Sequence, residues 1–251
     1  MAGHSQFKNI MHKKGKADAI RARIFTKLAR EITVAAKSGL PDVNANARLR
    51  LAVLAAKKES MPKDNIERAI KKAAEKGADS NFEEMRFEGF APHGVSLIVD
   101  CLTDNKNRTA PEMRSFFTKN NGSLGEIGSV SFNFSRVGEI VYLKKVGAFD
   151  SFLDTAIEAG CEDAEDDGEE YYVYTSSTEL HKVAKILEEK LGEPESVKLI
   201  FKPLNTIPLN DISHAQSVLD FIEKLEDNDD VQNVFANFEL SDEVAKALEN
   251  E

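Results

Sequence analysis

The chain has 251 residues, 41% of them hydrophobic and 30% charged, with a formal net charge of −10. These values fit a soluble globular protein of two or three domains. No apolar run approaches the roughly 20 residues needed to cross a bilayer. The start, MAGHSQFKNIMHKKGKAD, lacks the apolar stretch of a secretory signal, so a cytoplasmic location is expected. Cys101 and Cys161 have no metal-ligating neighbour at short spacing and are expected to be reduced thiols.

The net charge hides an asymmetry. Residues 1–76 carry 18 Lys and Arg against 7 Asp and Glu, a net of +11. Residues 77–251 carry 15 against 36, a net of −21. A concentrated positive end points to a polyanionic partner, and the negative remainder would repel that partner, so contact is expected on one side only.

In chain order, residues 1–16 show no apolar period and read as a flexible basic arm. From Asp18 the pattern turns helical, with Phe25, Leu28, Ala29, Ile32 and Ala36 as the apolar stripe. Arg23, Lys27 and Arg30 share another face. Gly39 and Pro41 end this helix. A second helix is expected from Asp42 or Asn44, with Leu49, Ala52, Val53 and Ala56 inward. A third follows Pro62, with Ile66, Ala69, Ile70 and Ala73 inward, and runs to Gly77.

The period then changes. FEEMRFEGFAPHGVSLIVDCLTD reads as two strands about a turn at Ala91–Gly94, and RTAPEMRSFFTKN as a helix closed by Asn121-Gly122. GSVSFNFS reads as a short strand. Residues 136–204 then read strand, helix, strand, strand, helix, strand, the ferredoxin-like order, with STELHKVAKILEEKLG as a capped helix. HAQSVLDFIEKLEDN is a helix and VQNVFANFEL a strand, which need a sheet to join. The expected fold is therefore α+β with three domains. Residues 1–78 form the basic arm and a three-helix domain. Residues 79–135 and 205–240 form a discontinuous α/β sandwich, the 136–204 domain is inserted in it, and 241–251 is a C-terminal tail.

The strongest candidate site is cationic. Lys8, Lys13, Lys14, Lys16, Arg21, Arg23, Lys27 and Arg30 fall within 23 residues, opposed only by Asp18 in that span. Long cationic side chains on an accessible surface suit phosphate contacts. His12, within HKK, and Arg48, Arg50, Arg68 and Lys72 on the later helices join the candidate nucleic-acid-binding set. Aromatic residues for base stacking are sparse, so reading of bases by stacking is not expected. Asn44 and Asn46 are the nearest candidates for reading bases from a helix tip, and both also suit capping.

The run Thr103–Thr109 has two balanced readings. Asp104, Asn107 and Arg108 form a surface contact site, or Asp104 or Asn105 caps a helix beside a local ion pair. Gly122, Gly125 and Gly128 do not match a phosphate-loop pattern and read as turn glycines. The acidic stretch from Asp163 imitates the opening of a calcium loop, but Tyr174 stands where the bidentate Glu belongs. The histidines lack zinc-site spacing. No catalytic arrangement, metal site or cofactor is expected, nor a membrane or small-molecule substrate.

Three ordered blocks, AGHSQFKNIMHKKGKADAIRARIFTKLAREI, SGLPDVNANARLRLAVLAAKKESMPKDNIERAIKK and LTDNKNRT with GSVSF, resemble the YebC/PmpR family over essentially the whole chain. One departure is visible: the family's GPGG turn reads APHG here, Ala91 to Gly94. The resemblance implies a helical domain and two α/β domains, the third inserted in the second, without enzymatic activity. It implies a bacterial cytoplasmic or organellar protein described as a transcriptional regulator that binds DNA. Other members, one a mitochondrial translational activator, look like ribosome-associated factors that relieve stalls. The expected partner is therefore DNA or ribosomal RNA, with the acidic domains presenting surfaces to proteins. A protein-interaction scaffold, insensitive to nuclease, is the reading from a different class.

Overall fold

The computed structural model describes residues 17–74 and 81–249. Helices α1 (Ala17–Ser38), α2 (Ala47–Lys58) and α3 (Lys63–Lys72) open the chain. Their inward stripes meet as read: Ile32, Ala36, Leu49, Ala52, Val53, Ala56, Ile66 and Ala69 share one buried cluster. Helix α2 begins later than expected, because Asn46 is its cap and accepts the Leu49 N–H at 3.0 Å. The same Asn46 amide donates to the Ala35 and Leu40 carbonyls, tying the end of α1 to the start of α2. Asn44 sits in a turn whose N–H is taken by the Asp42 carboxylate. Helix α3 ends at Lys72, with Ala73 as its C-cap, short of the expected stop at Gly77, which itself lies outside the described residues.

Strands β1 (Glu83–Phe90) and β2 (Ser96–Thr103) form an antiparallel hairpin, followed by α4 (Lys106–Lys119) and the short β3 (Ser123–Leu124). Strand β4 (Phe134–Leu143), α5 (Phe149–Ala159), β5 (Asp163–Asp166), β6 (Glu170–Ser176), α6 (Leu180–Leu191) and β7 (Ser196–Pro203) come next. The chain closes with β8 (Ile207–Leu209), α7 (Ile212–Glu226), β9 (Val231–Ala236), β10 (Phe238–Leu240) and α8 (Asp242–Glu249). One antiparallel sheet has the order β3-β1-β2-β9, so its edge strand comes from the far side of residues 134–203. A second antiparallel sheet, β5-β6-β4-β7, has ferredoxin-like order, with α5 and α6 packed on one face.

Strand β2 is buried along nearly its whole length. Leu97, Val99 and Cys101 pack under α4 and α7, while Ile98 on the opposite face meets Val130, Phe134 and Phe235. A strand covered on both faces reads as a continuous apolar run, as GVSLIVDCL does.

The structure corrects five local expectations. GSVSFNFS is not a strand of its own: Ser131–Asn133 is a 3-10 turn, and Phe134 and Ser135 already belong to β4, pairing with Pro203 and Lys202. The 135/136 boundary thus falls inside a strand. VQNVFANFEL is broken at Asn237 into β9 and β10, and β10 pairs in parallel with β8, an element not expected from the sequence. Helix α6 starts after Glu179, whose side chain makes no capping bond and pairs instead with Lys182. The expected tail contains α8, which buries Val244, Ala245 and Leu248 in the core of the first sheet.

Candidate nucleic-acid interface

Helix α1 places Arg23, Lys27 and Arg30 on one face at spacings of four and three. This face is engaged within the protein, so none of the three stands without a partner. It docks on the turn between α7 and β9, Glu226–Asp230. Arg23 pairs with Asp227. The Lys27 ammonium donates to the Glu226 carbonyl at 2.6 Å. Arg30 donates to the Asp229 carbonyl at 2.5 Å and to the Asp230 carboxylate at 2.8 Å. Burial beneath the turn lowers the Lys27 pKa below the ordinary lysine value, against the pull of Glu226, Asp229 and Asp227. The partners lie about 200 residues away in sequence, as for Arg30 and Asp230 at a separation of 200, so helical period alone reveals only that the face is cationic.

Asp230 is the centre of this contact. Its side chain is only 4% exposed. One carboxylate oxygen accepts from Arg30. The other accepts from Arg108 at 2.7 Å, Thr109 at 2.7 Å and Thr103 at 3.1 Å. Burial alone would raise its carboxyl pKa, but the bonds from Arg108, Thr109 and Arg30 hold it below the usual aspartate value. Arg108 also reaches Asp104 at 3.0 Å, and Asn105 caps α4 by accepting the Arg108 N–H. The Thr103–Thr109 run therefore serves as cap and ion-pair network. Of the candidate surface contacts there, Asp104 and Arg108 are joined, while Asn107 stands exposed and apart from the network.

Arg48 likewise has acidic partners within the protein. It bridges Glu31 on α1 at 2.7 Å and Glu84 on β1 at 2.8 Å. Arg50 is exposed at the rim of a cleft between α2 and α6, near His181. Burial, and then Arg50, lower the His181 pKa. Leu51 and Leu54 of α2 pack against the α5–α6 core, and Lys58 pairs with Glu195 at 3.2 Å.

Besides Arg50 and Lys57 on α2, the exposed cations of the head without an acidic partner among the described residues include Arg21 and a group at the end of α3. Arg68 and Lys71 are exposed and Lys72 half-buried, and no ion pair joins any of them to a described residue. Lys8, His12, Lys13, Lys14 and Lys16 lie outside the described residues.

The glycine-bearing loop after β3 already holds an internal anion. Glu88, 2% exposed, accepts the Val130 and Ser131 N–H groups at 2.9 Å each. Burial pushes its carboxyl up, but these bonds and one from the Gly128 N–H hold it below the ordinary value. A loop whose amides converge on a protein carboxylate has no place left for phosphate there. The acidic stretch is a hairpin with Lys144 on Asp166 at 2.6 Å. Among the described residues, no group of three or more His, Cys, Asp or Glu is placed to hold a metal. Nor is any described helix long and apolar enough to cross a membrane.

Two family models match the chain: the TACO1/YebC protein N-terminal domain over residues 5–76, and the TACO1/YebC second and third domain over residues 82–238. The crystal structure of a conserved hypothetical protein, Aq1575 from Aquifex aeolicus, is similar at 45% identity and a TM-score of 0.82, covering 92% of this chain and 95% of that one. Helical head, first sheet and ferredoxin-like unit are all spanned by these matches, and the chain belongs to the TACO1/YebC family.

Proposed function

We propose that this protein is a non-enzymatic, nucleic-acid-binding regulator of gene expression, anchored through phosphate contacts of its basic head. One observation carries the reading. After internal pairing is subtracted, Arg68, Lys71 and Lys72 still stand together at the end of α3 without an acidic partner among the described residues. The basic arm lies before the same three-helix unit. Regulation of transcription by DNA binding is the favoured form, consistent with a family of regulatory proteins. Ribosomal RNA is the second reading. It is favoured by the fate of Asn46, which is consumed as a cap and leaves α2 without that polar tip for reading bases. Contact through the backbone alone suits folded RNA as well as duplex DNA.

The test is the salt dependence of binding. Lys13, Lys14 and Lys16→Ala together, and Arg68, Lys71 and Lys72→Ala together, should each flatten the log–log slope. The expected change is about 0.9 for each duplex phosphate that is no longer neutralised. A slope untouched by both sets counts against the proposal. Crosslinking in cells and sequencing of the bound nucleic acid then separates promoter DNA from ribosomal RNA.

A further inference from the structure

We infer that the Glu226–Asp230 turn is an internal stand-in for a polyanion. On this inference it covers a second phosphate-binding face on α1 and is displaced when nucleic acid binds; this rests on the nucleic-acid reading above.

The turn reads Glu-Asp-Asn-Asp-Asp, four carboxylates in five residues. It lies against a row of three cations, Arg23, Lys27 and Arg30. That row spans about 10 Å along one side of α1. The turn meets it with two carboxylates and two backbone carbonyls, the oxygen-rich surface that a phosphate backbone also offers.

The contact is built to part. Asp230 keeps Arg108, Thr109 and Thr103 when Arg30 leaves, so its buried carboxylate stays satisfied by its own side of the interface. The outer pair, Arg23 with Asp227, is about half exposed at 42% and 51%. Such pairs contribute about 0–1 kcal/mol and weaken with salt. Across the contact, the described bonds are polar, the usual character of an interface between units that move. The apolar attachment of the head lies elsewhere, where Leu51 and Leu54 meet the α5–α6 core. That packing serves as the pivot while α1 swings off the turn.

The experiment compares full-length proteins on two labelled probes, a random-sequence duplex DNA and a structured ribosomal RNA fragment. Asp227→Asn with Asp229→Asn removes two charges facing α1. Asp242→Asn with Glu243→Gln removes the same charge from exposed positions at the start of α8, which lies beside the opposite end of α7 through the Ser241–Leu209 bond. The first variant should bind more tightly than the second at equal salt. Its slope on the duplex should be steeper by about 0.9 for each cation freed. The charge swap Arg23→Asp with Asp227→Arg re-forms the pair and should not steepen the slope.

Equal behaviour of the two charge-matched variants overturns the latch. So does a gain in the swap as large as in the first variant. Either result leaves the nucleic-acid reading standing if the wild-type protein binds. Absence of binding by every protein on both probes overturns both. Whichever probe shows the difference identifies the source of the phosphate.

Discussion

A buried carboxylate is tolerated only when its oxygens are filled, and Asp230 and Glu88 meet that condition in different ways. Asp230 is satisfied by side chains from separate segments, while Glu88 gathers backbone N–H groups from one loop. Removing the first takes from Arg30 its only carboxylate among the described contacts, and leaves Arg108 with Asp104 as its remaining acid. Asp230→Ala should therefore cost about 3 kcal/mol in denaturant unfolding, within the range for breaking buried ion pairs. Asp227→Ala, one residue past α7 and half exposed, should cost under about 1 kcal/mol. Similar losses for the two would show that Asp230 is not the hub of the docked face. His93 bears on strain rather than charge. It takes a positive φ of 63° where the family's turn has glycine, and its ring stacks on His214 at 3.8 Å. The left-handed position favours glycine, and the ring contacts offset the strain. His93→Gly should thus change stability by no more than about 1 kcal/mol, as read from the unfolding midpoint.

At the scale of elements, the helices are legible in the sequence because their burial follows one local period. Leu49, Ala52, Val53 and Ala56 are all buried as the spacing of α2 requires. What local period cannot show is a side chain serving two distant segments. Asn237 divides β9 from β10. Its side chain accepts the Ser96 N–H at 2.7 Å and its carbonyl accepts the Ile207 N–H at 2.7 Å. Nothing within VQNVFANFEL announces those partners. Asn46 is similar: its capping role is visible in sequence, its bonds to Ala35 and Leu40 are not. Asn46→Ala removes the cap and both bonds. It should cost about 2 kcal/mol, the upper end for an N-cap, because the helical linkage goes with it. A loss of a few tenths, measured by thermal or denaturant unfolding, would reduce Asn46 to an ordinary surface cap. Helix α8 escapes a reading by period because it is short and polar in composition, yet its three apolar residues lie on one face.

For the whole molecule, composition states the sum of charges on each half but not which charges meet. Arg23, Lys27, Arg30 and Arg48 contribute to the +11 of the head, and the fold turns all four toward acids or carbonyls of the protein. The candidate site is legible as a region but not at these residues, because pairing across about 200 positions is a property of docking rather than of helical period. The same docking sets the acid response. Asp230 and Glu88 have folded pKa values below their ordinary ones, so each binds protons more readily when unfolded. Their contribution is complete above the unfolded values, about 3.9 and 4.3. It is lost as pH falls through the lower folded values. The melting temperature should therefore fall steeply below about pH 4. Glu88→Gln keeps one oxygen acceptor for the loop but cannot titrate. It should be less stable than wild type by about 1–2 kcal/mol at neutral pH, and the gap should narrow toward acid as wild type loses its carboxylate. Parallel melting curves across that range would mean that Glu88 does not titrate differently on folding, and that the loop amides do not hold it as a charge.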